Sequence, residues 1–273
     1  MFGQMLENVR RKKPLIQSMT NVVTINDCAN VLIAAGASPY MSDCAEEAYD
    51  SQKVADGLEI NIGSIETPKV EAYIAGGKAA NKLGHPVVLD PVGAGVTKLR
   101  DETLKKLFNE VKISVVRGNL SEIKSLATGS VNTGGVDAQA GDSMNDENIE
   151  DVVKLAKNLA KKTGAVIAIT GETDVVANSD KAYIIKNGDE LMSKITGSGC
   201  QLSALTAAYA AANKENMTEA VAACVAGFGL CGELAKTRMK ELDGNASYRT
   251  YLIDAVYNLT AEQLERGAKY EIC

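Results

Sequence analysis

Leu58-Glu59-Ile60-Asn61-Ile62-Gly63, then Thr67–Leu83, then Pro86-Val87-Val88-Leu89-Asp90, is the stretch that decides the fold. The first segment reads as a strand. Thr67–Leu83 reads as a helix, with Pro68 in its first turn, where a missing N–H costs nothing, and Gly84 just past its end. The second strand is continuously apolar, as in a sheet covered on both faces. Strand, helix and strand at this spacing form one repeat of a parallel α/β sheet.

The alternation continues on either side. Ile113-Ser114-Val115-Val116 predicts a third strand and residues 120–127 a short helix. Residues 147–163 predict an amphipathic helix, with Val152, Val153, Leu155, Ala156 and Leu159 on its apolar face. Ala165-Val166-Ile167-Ala168-Ile169-Thr170 is a fourth strand. Asp174-Val175-Val176-Ala177 and Ala182-Tyr183-Ile184-Ile185 flank Asn178-Ser179-Asp180, the pattern of an antiparallel hairpin at the sheet edge. From Cys200 on, the chain reads as nearly all helical. Upstream, residues 22–35 predict a helix and Ala37-Ser38 a short strand. Residues 129–143, rich in Gly, Ser, Asn and Asp, read as a surface loop with scope for movement. The expectation is an α/β fold: a mostly parallel central sheet with helices on both faces, in one domain spanning residues 1–273. No proline-rich linker, repeat or low-complexity segment divides it.

Composition narrows the function. The chain has 273 residues, 45% hydrophobic and 23% charged, with a net charge of −6. Such a balance gives no basic footprint for nucleic acid or an anionic membrane surface, so an anionic ligand must be held by local groups. No run of about eighteen apolar residues predicts a membrane span. The polar N-terminal residues 1–13 have no signal-peptide core, and a cytoplasmic protein is expected. Six cysteines show no Cys-x-x-Cys spacing, and His85 is the single histidine, which argues against a zinc site.

Thr196-Gly197-Ser198-Gly199-Cys200 reads as a glycine turn opening a helix. Gly197 and Gly199 allow close backbone approach, and the exposed amides of the first helical turn suit a phosphate. The same amides would favour the thiolate of Cys200. Several polar residues stand at carboxyl ends of predicted strands, where open α/β sheets bind ligands: Asp90, Arg117-Gly118-Asn119 and Thr170-Gly171-Glu172. Asp90 is suited to hold Mg²⁺ directly or through water. Glu122, three residues after Asn119, faces the same mouth, and Arg117 offers a fork to phosphate oxygens. Each residue alone equally fits a cap or a turn. In Gln17-Ser18-Met19-Thr20-Asn21-Val22-Val23-Thr24, Ser18, Thr20 and Asn21 either cap the helix that follows or line a small pocket, with Met41 as an adaptable wall. A dinucleotide fingerprint fails, because the glycines come late and no acidic partner follows. The Walker pattern is absent. A cysteine hydrolase would need His85, which falls at the opposite end of the sheet from Cys200.

Taken together, these segments resemble the hydroxyethylthiazole kinase family of the ribokinase-like superfamily. The resemblance rests on Ser18-Met19-Thr20-Asn21-Val22-Val23, Ser38-Pro39-Tyr40-Met41, Leu89-Asp90-Pro91-Val92-Gly93-Ala94-Gly95, Arg117-Gly118-Asn119-Leu120-Ser121-Glu122, Ala168-Ile169-Thr170-Gly171-Glu172 and Thr196-Gly197-Ser198-Gly199-Cys200. They occur in the family's order and span nearly the whole chain. The resemblance implies ATP-dependent phosphorylation of 4-methyl-5-(2-hydroxyethyl)thiazole in thiamine salvage, with Mg²⁺ bridging the ATP phosphates. It implies thiazole contacts from Asn21, Val23, Met41 and Gly197, and ATP contacts from Arg117 and Thr170. Asp90 and Glu122 would organise the metal, and Gly197, Ser198, Gly199 and Cys200 would form the catalytic anion hole. It also implies a homotrimer with sites near the subunit interfaces. Two departures stand out: Ser198 replaces the usual Thr or Ala, and Gln201 a more commonly apolar residue. The wider superfamily has Asp as base where this chain has Cys200, which acts either as base or as a holder of the alcohol. The alternatives are a related kinase for a hydroxymethylpyrimidine and a nucleotide-binding protein that has lost catalysis.

Overall fold

Alternation along each strand sends successive side chains to opposite faces of the sheet, and that simple geometry builds both cores and the site. A computed structural model describes residues 1–129 and 148–273. In chain order the elements are α1 (Phe2–Lys12), β1 (Leu15–Met19), α2 (Ile25–Ala35), β2 (Ser38–Tyr40), α3 (Ala48–Val54), β3 (Gly57–Asn61), α4 (Thr67–Leu83), β4 (Val87–Asp90), α5 (Lys98–Glu110), β5 (Val115–Asn119), α6 (Leu120–Thr128), α7 (Ile149–Thr163), β6 (Val166–Thr170), β7 (Asp174–Ala177), β8 (Ala182–Ile185), α8 (Ser198–Ala212), α9 (Met217–Arg238), α10 (Asn245–Asn258), α11 (Ala261–Gly267) and β9 (Tyr270–Ile272).

The described strands form one sheet in the order β2-β1-β3-β4-β5-β6-β7-β8-β9. Pairing is parallel from β2 through β6 and antiparallel from there to β9. Ile16, Val88, Val115, Ala168 and Val176 enter one core with α1, α2 and α8 to α11. Leu58, Ile60, Leu89, Val116 and Ile167 enter the other with α3 to α7. Helix α8 lies against the first face, and every residue from Gln201 to Ala212 is buried. An apolar surface all round is what a fully enclosed helix requires. Helix α9 is long and apolar enough to cross a bilayer by length and composition, yet 78% of its most apolar window is buried inside the fold.

The expected α/β architecture is present, and Thr67–Leu83 matches its predicted bounds. Other expectations are corrected. The hairpin β7–β8 does not form the sheet edge, because β9 pairs outside it, the one strand in the otherwise helical chain beyond Cys200. A sheet edge offers unpaired N–H and C=O groups, and the C-terminal segment takes them. The helix expected over residues 22–35 starts at Ile25, because Asn21 Oδ1 accepts from the N–H groups of Val23 and Thr24 and holds a turn there. Helix α1, where the sequence showed only a polar stretch, buries Phe2, Met5, Leu6 and Val9. Most of the loop expected over residues 129–143 lies outside the described residues.

Candidate active site

Register sets the floor of the site. Ser18 lies opposite Glu59 across β1 and β3, and Asn61 opposite Asp90 across β3 and β4. Asn119 lies opposite Thr170 across β5 and β6. Counting by twos from Val88 and Val115 places Asp90 and Arg117 on the face covered by α8. Asn61, Asp90 and Glu59 are fully buried there.

Two groups of residues meet at that face. The first surrounds Cys200. Asn21 Nδ2 donates to Cys200 Sγ at 3.2 Å and to Asn61 Oδ1 at 3.2 Å. The second surrounds Asp90. Its Oδ2 accepts from Asn61 Nδ2 at 3.0 Å and from Ser203 Oγ at 2.8 Å, with Arg117 Nη1 at 3.7 Å. Arg117 Nη2 donates to Thr170 Oγ1, while Arg117 Nε has no hydrogen-bond partner among the described residues. Burial pushes the Asp90 carboxyl above its ordinary range, opposed by Arg117, Ser203 and Asn61.

Glu122 closes the far side. Its Oε1 accepts from Gly93 N at 3.0 Å and its Oε2 from Asn119 N at 2.8 Å, while Asn119 Oδ1 accepts from Glu122 N at 2.9 Å. This reciprocal cap fixes the start of α6 and ties the loop after β4 to β5. Burial first, and the charge of Asp90 second, push Glu122 up to about 7. Arg100, which the sequence reading passed over, donates to Val92 O at 2.6 Å and Gly63 O at 2.9 Å, clamping the loops after β3 and β4 together.

Gly197 and Gly199 are required where they stand. Gly197 has φ of 81°, and a Cβ there would lie 2.9 Å from Thr24 Cβ. At Gly199 a Cβ would lie 2.5 Å from Arg117 Nη1. The turn therefore packs against α2 on one side and against the Asp90 group on the other. The N–H groups of Ser198, Gly199 and Cys200, in the first turn, have no intrahelical acceptor, and the helix dipole adds positive potential there.

The expected help of the helix amides to the Cys200 thiolate is outweighed. Burial, and then the nearby Asp90 charge, push the thiol up to about 11, with Thr24 and Asn61 opposing only in part. Burial thus favours the protonated thiol at Cys200.

Of the predicted residues, the structure joins Asn21, Cys200, Asp90, Arg117 and Thr170 through the bonds above, and Gly199 by contact. Glu122 enters through Gly93 and Asn119. Val23 joins this set only through its backbone N–H, which donates to Asn21 Oδ1 at 3.1 Å, its side chain being 68% exposed, and Met41 stands outside it, half-buried against the helical core. Asn61, Ser203, Thr24 and Glu59 were missed. Glu59 accepts from Ser18 Oγ, and burial lifts it to about 8, with the Asp90 charge adding to the rise. For Glu59 and Asn61 the one sequence signal was a polar residue inside an apolar strand, and for Ser203 a hydroxyl inside an apolar helical run.

The donor set suits a divalent cation. Asp90 Oδ1 is buried without a hydrogen-bond partner among the described residues, which an ion or its water would satisfy. Among the described residues, no group of three or more His, Cys, Asp or Glu side chains forms a cage. Few protein ligands beside substrate phosphates is the usual setting for Mg²⁺.

A carboxylate, a guanidinium and a helix amino end are gathered here at the carboxyl ends of parallel strands, on the fold of the ribokinase-like kinases. The pyridoxal kinase from Staphylococcus aureus, solved with AMP-PCP, shares this fold, with a TM-score of 0.63 at 16% identity over 96% of this chain and 98% of that one. The particular family follows from closer relatives. Residues 6–262 match the hydroxyethylthiazole kinase family, and the chain belongs to it. It is 52% identical to the hydroxyethylthiazole kinase of Clostridium acetobutylicum over 271 residues, 99% of each chain. It is 44% identical to that of Clostridium beijerinckii over 98% of this chain and 96% of the other. The structure of a hydroxyethylthiazole kinase protein from Pyrococcus horikoshii OT3 superposes with a TM-score of 0.87 at 30% identity, covering 100% of this chain and 98% of that one.

Proposed function

We propose that this chain transfers the γ-phosphoryl group of ATP to the primary hydroxyl of hydroxyethylthiazole, the kinase step of thiamine salvage. The observation that carries the reading is the meeting of Cys200 and Asp90 through Asn21 and Asn61 beside the amino end of α8. Gly197 and Cys200 hold the alcohol, with Asn21, Val23 and Met41 around the thiazole ring. Arg117 and Thr170 hold ATP phosphates. The hydroxyl oxygen bonds to the γ-phosphorus as the bond to the β–γ bridging oxygen breaks, and ADP leaves.

A protonated Cys200 is a poor proton acceptor, so it acts as the hydrogen-bond partner that orients the hydroxyl. The proton then passes to a phosphate oxygen. The free amides of Ser198, Gly199 and Cys200, with Arg117, stabilise charge on the moving group, where phosphoryl transfer gains most. Asp90, with Glu122 behind it, would hold Mg²⁺, which neutralises phosphate charge when bound.

The reading includes a single cytoplasmic kinase domain that assembles as a homotrimer. Val22 and Val23, 66% and 68% exposed beside Asn21, support a partner subunit covering the acceptor side. Light scattering on the purified protein checks this, with a trimer expected. For the activity, ADP release is followed with Mg²⁺–ATP and either the thiazole alcohol or a hydroxymethylpyrimidine. Turnover of the thiazole alone is expected. Turnover of the pyrimidine alone overturns the substrate, and ATP binding without ADP formation overturns the enzyme.

A further inference from the structure

Asn61 sits at the end of β3, fully buried, and every polar atom of its side chain is engaged. Its Oδ1 accepts from Gly63 N at 2.9 Å and from Asn21 Nδ2 at 3.2 Å. Its Nδ2 donates to Asp90 Oδ2 at 3.0 Å. These partners fix which way the amide faces, because the backbone N–H of Gly63 requires an acceptor and the carboxylate requires a donor. On one side, Asn21 passes the bond on to Cys200 Sγ. On the other, Asn61 and Ser203 both donate to the same oxygen of Asp90, so its other oxygen, Oδ1, is the one left without a partner. No direct hydrogen bond joins Cys200 to Asp90 among the described residues.

We propose that Asn61 is a positioning residue that holds Cys200 and Asp90 in one register and aims Asp90 Oδ1 at the metal–nucleotide. The proposal rests on the kinase reading above. Asn61 touches neither reactant. It orients the two groups that do, as partners behind a metal ligand commonly do. Loss of its amide frees Asp90 to rotate about Ser203 and removes one of the bonds that anchor Asn21 under the thiol.

Asn61→Ala tests this through two readouts. Steady-state turnover should fall about 10–100-fold in kcat, while KM for the alcohol stays within about threefold, as for an interaction made in the transition state. Mn²⁺ affinity in the presence of ATP and absence of alcohol, followed by electron paramagnetic resonance, should weaken about tenfold or more. In a Cys200→Ala background, Asn61→Ala should cost less than it does alone, because the two residues act through one chain of bonds. Wild-type kcat, or wild-type Mn²⁺ affinity, in folded Asn61→Ala overturns the proposal, and so does full additivity with Cys200→Ala. If the alanine variant does not fold, Asn61→Ser replaces it, since a hydroxyl can still serve Gly63 but cannot span to both neighbours. If the wild-type protein leaves the thiazole alcohol untouched, the kinase reading fails and the Mn²⁺ arm alone judges Asn61.

Discussion

The two halves of the site are built on different physics. Around Cys200 the groups are neutral: the Asn21 amide, the Thr24 hydroxyl and the thiol itself, edged by exposed Val22 and Val23. Around Asp90 they are charged and buried: two carboxylates and a guanidinium, with Asp90 Oδ1 and Arg117 Nε left without partners. Neutral hydrogen bonds hold geometry at little cost, whereas buried charges without full partners are costly and wait for counter-charges. On the proposed reading, the contrast matches shape to the alcohol side and charge to the phosphate side.

Removing charge while keeping shape should therefore do the most damage. Asp90→Asn is expected to lower kcat about 100–1,000-fold, with alcohol binding by calorimetry nearly unchanged; wild-type turnover would break the division of roles. Gly199→Ala strikes the seam between the halves. Its Cβ would displace Arg117 Nη1, and kcat should fall about 10–100-fold. The thermal midpoint should hardly move, because the displaced atom ends a flexible side chain. A kinetically silent Gly199→Ala would mean that Arg117 does not need its present position.

Cys200→Ser sharpens the neutral side. A hydroxyl still orients an alcohol, so the loss should stay below about tenfold, whereas removal of a general base costs about 100–10,000-fold. With the wild-type thiol near 11, kcat should also lack the climb of about tenfold per pH unit, between about pH 8 and about pH 9, that a thiolate base would give.

The smallest effect is in stability. Burial lifts Glu59 from 4.5 to about 8 and Asp174 from 3.8 to about 7. The unfolded chain thus releases these protons at lower pH than the folded one. Their stabilising contribution is complete below about pH 4 and is lost as pH rises through 7 and 8. The thermal midpoint in metal-free buffer should decline from about pH 6 to about pH 9, and Glu59→Gln should flatten that decline. A midpoint rising over this range would contradict both assignments.

Legibility followed the range of the interactions. Helix α4 was readable to its end residues because Pro68 and Gly84 act locally. Asp90, Arg117 and Thr170 were readable as a site because strand ends in a parallel sheet share one edge. Strand β9 was not, since three residues carry no periodicity and its one reason to be extended is the open edge of β8. Glu59, Asn61 and Ser203 looked like interruptions of apolar or helical runs. Their roles appear once register sets Asn61 opposite Asp90 and α8 lays Ser203 over both.

By itself the sequence determined the strand–helix alternation, the parallel sheet, the glycine turn at α8 and the family. These depend on side-chain period, turn chemistry and motif order, which are written along the chain. Only the tertiary structure decided that burial raises the Cys200 thiol, that Gly199 must clear room for Arg117, and that Asn61 connects the two halves. Protonation, close approach and bonding depend on what burial removes from water and on which distant groups it brings within a few ångströms, and no local stretch of sequence carries that information.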